Sequence, residues 1–386
     1  MEWLVPLADL DYQSEELSAV RKVLLSKWLT MGEVANKFEA AFSELTGSQH
    51  AIAVSNGTQA LHLACLALEV GPGDEVIVPS LSFVATANAV LYCGADVRFA
   101  DIIGADDLTI SPDSIEKNIT SRTKAIIVMH YAGYPCRMPE IMAIAEKHHL
   151  AVIEDAAHAP GGVLDGKALG RWGDLGCFSF FSNKNLSTGE GGMVTCERDD
   201  LAKKVRLQRS HGMTSLTYDR HQGHAFSYDV VDLGFNYRID EIRSALGLQQ
   251  LAKLQRNNNR RGQITHAYWE AFKDLGVGLP FSQRAWGQPS FHIFPMLLPP
   301  GMNRQNFMVG LRDAGVQSSI HYRPIHTFSF YRKKYGDQGL PMTEAVAQRE
   351  VTLPLFPTMT DDQLQIVISA VREGVKTGRN IVPDQA

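Results

Sequence analysis

The sequence contains no apolar run approaching the roughly 20 residues that a membrane-spanning helix requires. It therefore offers no candidate span. Cysteine is sparse: Cys65, Cys93, Cys136, Cys177 and Cys196 are scattered, odd in number, and form no Cys-x-x-Cys pair. A disulfide frame or a zinc ribbon needs regular spacing, so reduced thiols in a cytoplasmic protein are expected. No excess of positive charge exists either. Lys and Arg total 37 against 42 Asp and Glu, for a net charge of −5, and no basic patch suits nucleic acid or an anionic membrane. The 13 histidines lack ligand spacing backed by carboxylates on one helix face, which argues against a metal site. The opening MEWLVPLADLDY has neither the basic nor the apolar region of a signal peptide, so no export signal is expected. Internal repeats and low-complexity segments are also missing.

What is present has the texture of a globular protein, 45% hydrophobic and 20% charged. A chain of 386 residues exceeds one ordinary small core, so a large domain with a smaller one is expected. Between about residues 50 and 195, short β-branched runs (AIAV, EVIVPS, DVRFAD, KAIIVMH, LAVIED) alternate with helical patterns (TQALHLACLAL, SFVATANAVLYCG, MPEIMAIAEKHH). That alternation predicts βαβ units and a mainly parallel sheet covered by helices, an α/β architecture. GCFSFF and GMVTCE read as two further strands. After about residue 240, EIRSALGLQQLAKLQRNNNRRGQITHAYWEAFKDLG predicts one or two long amphipathic helices. The remainder mixes strand-like FHIFPMLL and SSIHYRP with helical NRQNFMVGLRDAG and TDDQLQIVISAVREGV, a smaller α+β unit. The division expected is 1–250 and 251–386. Residues 211–230, without periodicity and rich in His, Tyr and Ser, read as a mobile functional loop.

In open α/β sheets, ligands bind beyond the carboxyl ends of the strands. AIAV is followed there by Ser55-Asn56-Gly57-Thr58 and a helix. Such a turn presents backbone N–H groups and the positive end of a helix dipole to an anion, or it is an ordinary cap by Asn56 or Thr58. LAVI is followed by Glu154-Asp155-Ala156-Ala157-His158. A carboxylate there wants a partner, either a protonated ring nitrogen of a cofactor or, as a helix cap or salt bridge, a backbone N–H or a neighbouring arginine. Lys184, in FSFFSNKNLSTGEGGM, is either a solvated loop charge or an amine whose proton burial loosens. Anion turn, strand-end Asp and loop Lys, in that order, meet the needs of pyridoxal 5′-phosphate (PLP): donors for phosphate, a carboxylate for the ring nitrogen, an amine for the aldehyde.

The blocks NGTQALHLA, VPSLSFVATANAV, IEDAAHA, FSFFSNKNLSTGEGGM, LGFNYRIDEIRSALGL and IHYRPIH run nearly end to end. Through them the chain resembles the sugar aminotransferases of the DegT/DnrJ/EryC1/StrS family, PLP-dependent transferases of fold type I with a large, mainly parallel seven-stranded sheet domain and a smaller C-terminal α+β domain. The resemblance implies that Lys184 occupies the Schiff-base position, that Asp155 partners the pyridine nitrogen, and that His158 lies near the cofactor's 3-oxygen. It further implies that Phe83 stacks on the ring and that Gly57, Thr58 and Ser179 form the phosphate cup. Asn236 matches an asparagine that reaches the phosphate from a neighbouring subunit, which implies a homodimer with two shared active sites. Arg238, Tyr322 and His326 fall in blocks that line the substrate side.

The activity implied is transfer of an amino group from L-glutamate to a nucleotide-linked keto-sugar, a 4-keto-6-deoxy sugar first among candidates, with the cofactor alternating between its PLP and PMP forms. The product would serve a surface polysaccharide such as lipopolysaccharide O-antigen, or a glycosylated metabolite. Two alternatives stand beside it. Dehydratases of the same family carry His where this chain has Lys184, and a non-catalytic regulatory member would need no amine there.

Overall fold

Period-two burial defines the central strands. In His50–Val54 (β1), Ile52 and Val54 join one hydrophobic cluster while Ala51 and Ala53 join another. Thr123–Met129 divides the same way, with Ala125 and Ile127 against Ile126 and Val128. Strands buried on both faces must sit in the middle of a three-layer sandwich. A computed structural model, which describes residues 3–214 and 227–379, shows that arrangement. After β1 come Glu75–Pro79 (β2), Asp96–Ala100 (β3), Thr123–Met129 (β4) and Ala151–Asp155 (β5). A small ribbon follows, Val163–Leu164 (β6) with Lys167–Ala168 (β7), then Leu175–Ser179 (β8) and Gly192–Cys196 (β9).

The seven large strands are ordered β1-β9-β8-β5-β4-β2-β3. Pairs β2–β3, β2–β4, β4–β5 and β5–β8 are parallel, and β9 alone runs against its neighbours β8 and β1. The fold is the expected α/β type with a large, mainly parallel seven-stranded sheet. GCFSFF and GMVTCE form β8 and β9, and the loop between them carries Lys184.

The segment read as one or two helices is a single helix, Glu241–Phe272, of 32 residues. Asp240 caps it by accepting from the Arg243 N–H, and the Glu241 carboxylate accepts from the N–H groups of Gly32, Val34 and Ala35. Leu248, Leu251 and Leu254 pack on one sheet face, while Ile264, Tyr268 and Phe272 enter a separate cluster. That second cluster surrounds an antiparallel pair, Phe294–Leu297 (β10) with Glu350–Leu353 (β11), and helices Arg304–Asp313 and Asp361–Arg379. Division of the chain at residue 250 remains a proposal. The long helix crosses that position without a break, and Val5 near the N-terminus packs in the second cluster.

SSIHYRP forms no strand. Ser319 makes one isolated bridge with Thr352, and the backbone N–H two residues on, that of His321, is taken by the Glu350 carboxylate at 2.8 Å. A side chain thus occupies the donor that a ladder would have used.

Candidate active site

Strand ends converge on one cleft of about 610 Å³. Of the residues singled out in the sequence, Gly57, Thr58, Phe83, Asp155, His158, Ser179, Lys184 and Tyr322 line it. Asn236, Arg238 and His326 do not.

The turn after β1 is a helix cap that also opens on the cleft. Asn56 caps helix Gly57–Ala67 by accepting from the Gln59 N–H at 2.9 Å, and Gly57 and Thr58 at the helix start still face the cleft. Ser179 closes the other side of this pocket. A Cβ on Gly57 would lie 2.8 Å from the Ser179 Cβ and 3.2 Å from its Oγ. Gly57→Ala is therefore expected to displace Ser179 and, with the phosphate held where the family resemblance implies, to weaken cofactor binding about tenfold. An absorbance titration of cofactor-free protein, with thermal melting as the control for folding, checks this.

Glu154 and Asp155 are neighbours on β5, and the strand's alternation sends them to opposite faces. Glu154, fully buried, accepts from the N–H groups of Gly170 and Gly173 at 2.8 Å each and from His130 Nε2 at 2.8 Å. The Cys136 N–H donates to His130 Nδ1, which leaves Nε2 to carry the proton. Glu154 is thereby fully engaged in holding the sheet. Asp155 faces the cleft, accepting from Thr86 Oγ1 at 2.7 Å and from the Ala157 N–H at 3.2 Å. Burial pushes its pKa above the usual carboxylate range, against those two hydrogen bonds and the nearby charge of Lys184. A buried carboxylate held this way gains from a cation placed before it.

Lys184 is not a solvated loop charge. Burial brings its amine down to about 8, with Asp155 pulling the other way. Its Nζ lies 3.5 Å from His292 Nε2. The state of that histidine follows from its neighbours. Asn185 Nδ2 donates to Asn258 Oδ1 at 2.8 Å and to the Ser290 carbonyl at 2.6 Å, so its Oδ1 accepts from His292 Nδ1–H at 2.8 Å. The His292 Nε2 lone pair then faces the lysine. His158 has the other tautomer: the Ala132 N–H donates to Nδ1 at 3.3 Å, leaving Nε2–H for the Tyr322 hydroxyl at 2.9 Å. Burial and the lysine charge hold both histidines well below the ordinary histidine range, so both are neutral.

Phe83, whose sequence context fits a core residue as well as a stacking one, is 56% exposed on the cleft wall, its ring 6.2 Å from that of Tyr322. His326 is buried outside the cleft, between Ser80 Oγ at 2.6 Å and Glu344 at 3.2 Å. Its side chain ties a turn to the end of β2, and we leave it out of the proposed site. Arg238 is half-buried beside β1, bridged to Val54, and Asn236 is exposed beside it. Of the loop 211–230, residues 215–226 lie outside the described residues. Sequence reasoning missed Asn185, His292 and His321. Asn185 adjoins the lysine, His292 is a lone polar residue in FHIFPMLL, and His321 directly precedes Tyr322.

Comparison with known proteins decides what this arrangement is. The sequence matches the DegT/DnrJ/EryC1/StrS aminotransferase family over residues 10–372. The chain belongs to that family. It is similar to PseC of Helicobacter pylori, an aminotransferase involved in the biosynthesis of pseudoaminic acid, at 30% identity and a TM-score of 0.91, covering 98% of this chain and 100% of that one. DesV of S. venezuelae is 32% identical with a TM-score of 0.89, covering 97% of this chain and 99% of the other. Spr1654 of Streptococcus pneumoniae, solved in a PMP form, is 27% identical with a TM-score of 0.91, covering 97% and 99%. The family member described here is a PLP-dependent aminotransferase of fold type I. Its own cleft fits the cofactor: a glycine cradle that a Cβ would fill, a buried carboxylate wanting a cation, and a buried amine of lowered pKa. Among the described residues, no helix is long and apolar enough to cross a membrane.

Proposed function

We propose that this aminotransferase moves the amino group of L-glutamate to a nucleotide-linked keto-sugar, with a 4-keto-6-deoxy hexose as first candidate. The single observation that carries the mechanism is Lys184, a buried amine in a cleft that also holds Asp155 and the Gly57–Thr58 helix start. PLP, when bound, supplies an aldehyde for an amine and a ring that takes up an electron pair. Gly57, Thr58 and Ser179 would hold its phosphate, Asp155 its ring nitrogen, Phe83 one ring face, and Lys184 its aldehyde.

The chain's own residues then do the following. Asp155 keeps a proton on the ring nitrogen through its negative charge, itself oriented by Thr86 and the Ala157 N–H. Lys184, as a free amine, would take the proton from the glutamate Cα. In the second half it delivers a proton to the sugar carbon that receives nitrogen. His292 Nε2 accepts from the lysine amine and helps to aim it, and the adjoining His158, its ring centroid 4.2 Å from that of His292, holds the Tyr322 hydroxyl. Lysine at 184, where the family's dehydratases have His, favours amino transfer over loss of a hydroxyl.

A homodimer with shared sites is part of the same proposal, with Asn236 reaching the phosphate in a second copy. Its support is position: Asn236 is exposed, the Ser55 N–H donates to the carbonyl of its neighbour Tyr237 at 2.9 Å, and Val230, Val231 and Leu233 nearby are 58%, 55% and 79% exposed. An apolar stretch of that kind suits burial against another chain. Arg238 and Tyr322 are proposed substrate contacts. The product is assigned to a surface polysaccharide such as O-antigen or to a glycosylated metabolite, and the five free cysteines support a cytoplasmic site of action.

A panel of dTDP-, UDP- and GDP-linked keto-sugars, each supplied with glutamate and read by mass spectrometry, tests the substrate. Amination of one of them with release of 2-oxoglutarate is expected. Failure with every nucleotide sugar and success with a keto-cyclitol would overturn the substrate class.

A further inference from the structure

Glu350 starts β11, fully buried. One carboxyl oxygen accepts from the backbone N–H of His321 at 2.8 Å; the other lies 2.5 Å from Thr352 Oγ1. Thr352, also fully buried, has its hydroxyl oxygen 2.8 Å from His321 Nδ1. The His321 ring lines the cleft. With Nδ1 turned to Thr352, Nε2 is the ring nitrogen left for the cleft. Three side chains therefore lead from the reacting space to an interior acid.

We propose that Glu350, Thr352 and His321 form a proton relay that gives a proton to the cleft in one half of the reaction and takes one back in the other. The proposal rests on the reading of the cleft as the site of amino transfer.

The argument turns on the single hydroxyl proton of Thr352, which can point only one way. When Glu350 is a carboxylate, the Thr352 O–H donates to it and the Thr352 oxygen accepts from His321 Nδ1–H. His321 Nε2 is then a lone pair facing the cleft. When Glu350 is a neutral acid, its O–H donates to Thr352, the Thr352 O–H donates to His321 Nδ1, and Nε2–H faces the cleft as a donor. The charge state of Glu350 thus sets the tautomer of His321, and the imidazole itself never becomes a cation.

Amino transfer needs both settings. Releasing 2-oxoglutarate consumes a water, which must lose a proton as it attacks. Aminating the sugar expels the carbonyl oxygen as water, which must gain one. In the second event the His321 Nε2–H bond breaks and an O–H bond forms on the departing sugar oxygen. The Thr352 proton passes to Nδ1, the Glu350 proton passes to Thr352, and a carboxylate remains on Glu350. In the first event the same transfers run backwards, from attacking water to Glu350. Over one full cycle the relay returns to its starting state with no outside acid or base.

The electrostatic setting suits a store that empties and fills near neutrality. Burial pushes the Glu350 carboxyl up to about 8, against its two hydrogen bonds and the charge of Arg304, which donates to the Glu350 backbone carbonyl at 3.2 Å. Burial and Lys184 hold His321 down at about 4. Other groups facing the relay are His158 and His292, which burial holds well below the ordinary histidine range and so neutral, Tyr131, whose hydroxyl donates to the His321 carbonyl, and Tyr322; burial raises the pKa of both phenols, so neither competes for the proton.

Histidine-selective 15N NMR of the cofactor-free protein, with His321→Gln supplying the assignment, tests the relay without substrate or cofactor. In the wild type, the His321 tautomer is expected to switch with a midpoint of about pH 8. Glu350→Gln keeps a donor to Thr352 and an acceptor for the His321 N–H but cannot ionise, so it should lock His321 in the Nε2–H form. Thr352→Val should abolish the response, and Thr352→Ser should restore it. In the holoenzyme, Glu350→Gln is expected to lower kcat about tenfold with KM within about twofold. A His321 tautomer indifferent to pH in the wild type, or an unaltered switch in Glu350→Gln, would overturn the relay while leaving amino transfer standing. Conversely, the tautomer switch would survive a failure of the amino-transfer reading.

Discussion

Lys184→Ala is expected to lower amino transfer by at least about 10⁴-fold, because in the proposed role it removes the nucleophile and the proton carrier together. Burial alone sets this amine apart from the other lysines. With its pKa brought down to about 8, roughly a tenth of the cofactor-free population carries a neutral amine at pH 7. An ordinary lysine would have well under a thousandth. Lowering the pH through 8 refills the proton, so the rate of cofactor capture by the wild type should fall tenfold per unit below that point and level off above it. Lys184→Arg separates the two parts of the role. It keeps a cation beside Asp155 but offers no neutral nitrogen, and it should be as inactive as the alanine variant. Single-turnover kinetics with glutamate and preloaded cofactor would measure both. Residual transfer within tenfold of wild type in either variant would contradict the assignment.

Asp155→Asn is expected to lower kcat by about 10²- to 10³-fold, the cost of removing a preorganised charge from a dry site. The amide still fills the space, and its oxygen can accept from either Thr86 or the Ala157 N–H, but not from both without turning its NH₂ toward a donor. What it cannot do is hold a proton on the cofactor's ring nitrogen, the role proposed for Asp155. Cofactor-free stability should respond differently. Burial raises the pKa of Asp155 in the folded protein, which means its charge is a cost until a cation faces it. The sign follows: in the absence of cofactor, this group destabilises the fold increasingly as the pH rises above its unfolded value near 3.8, up to its folded pKa. The asparagine variant is therefore expected to melt no lower than wild type without cofactor and to lose most of the stabilisation that cofactor binding gives the wild type. Thermal melting with and without PLP checks both halves.

The sheet, and the meeting of Gly57, Asp155 and Lys184 at one cleft, could be read from the sequence because their signals are local. Strands buried on both faces give short apolar runs, helices between them give period 3.6, and the turn after each run marks a strand end. Gly57, Asp155 and Lys184 each stand at such an end. Faces were harder to read. Glu154 and Asp155 are adjacent, and only the packed sheet shows that Glu154 serves Gly170, Gly173 and His130 while Asp155 turns to the cleft. Phe83 was ambiguous for the same reason, since a core ring and a stacking ring share one sequence pattern.

What stayed hidden depends on contacts between distant parts of the chain. Asn185 and His292 are 107 residues apart, and His321 and Thr352 are 31 apart. No periodicity connects them. SSIHYRP has the composition of a strand, yet the Glu350 carboxylate takes the backbone donor that a strand partner would use. His326 sits five residues beyond His321 in the same block, but its ring turns to Ser80 and Glu344 and away from the cleft. The block is informative as a whole, and which of its histidines reaches the reacting space is decided by tertiary packing.

The central claim is that the amine of Lys184 is the group that bonds the cofactor. Borohydride reduction of PLP-loaded protein, followed by peptide mass spectrometry, measures this directly. The account predicts a single pyridoxyl group on the peptide that contains Lys184, absent when the protein is first converted with glutamate. A pyridoxyl group on another lysine, or none at all, would contradict it.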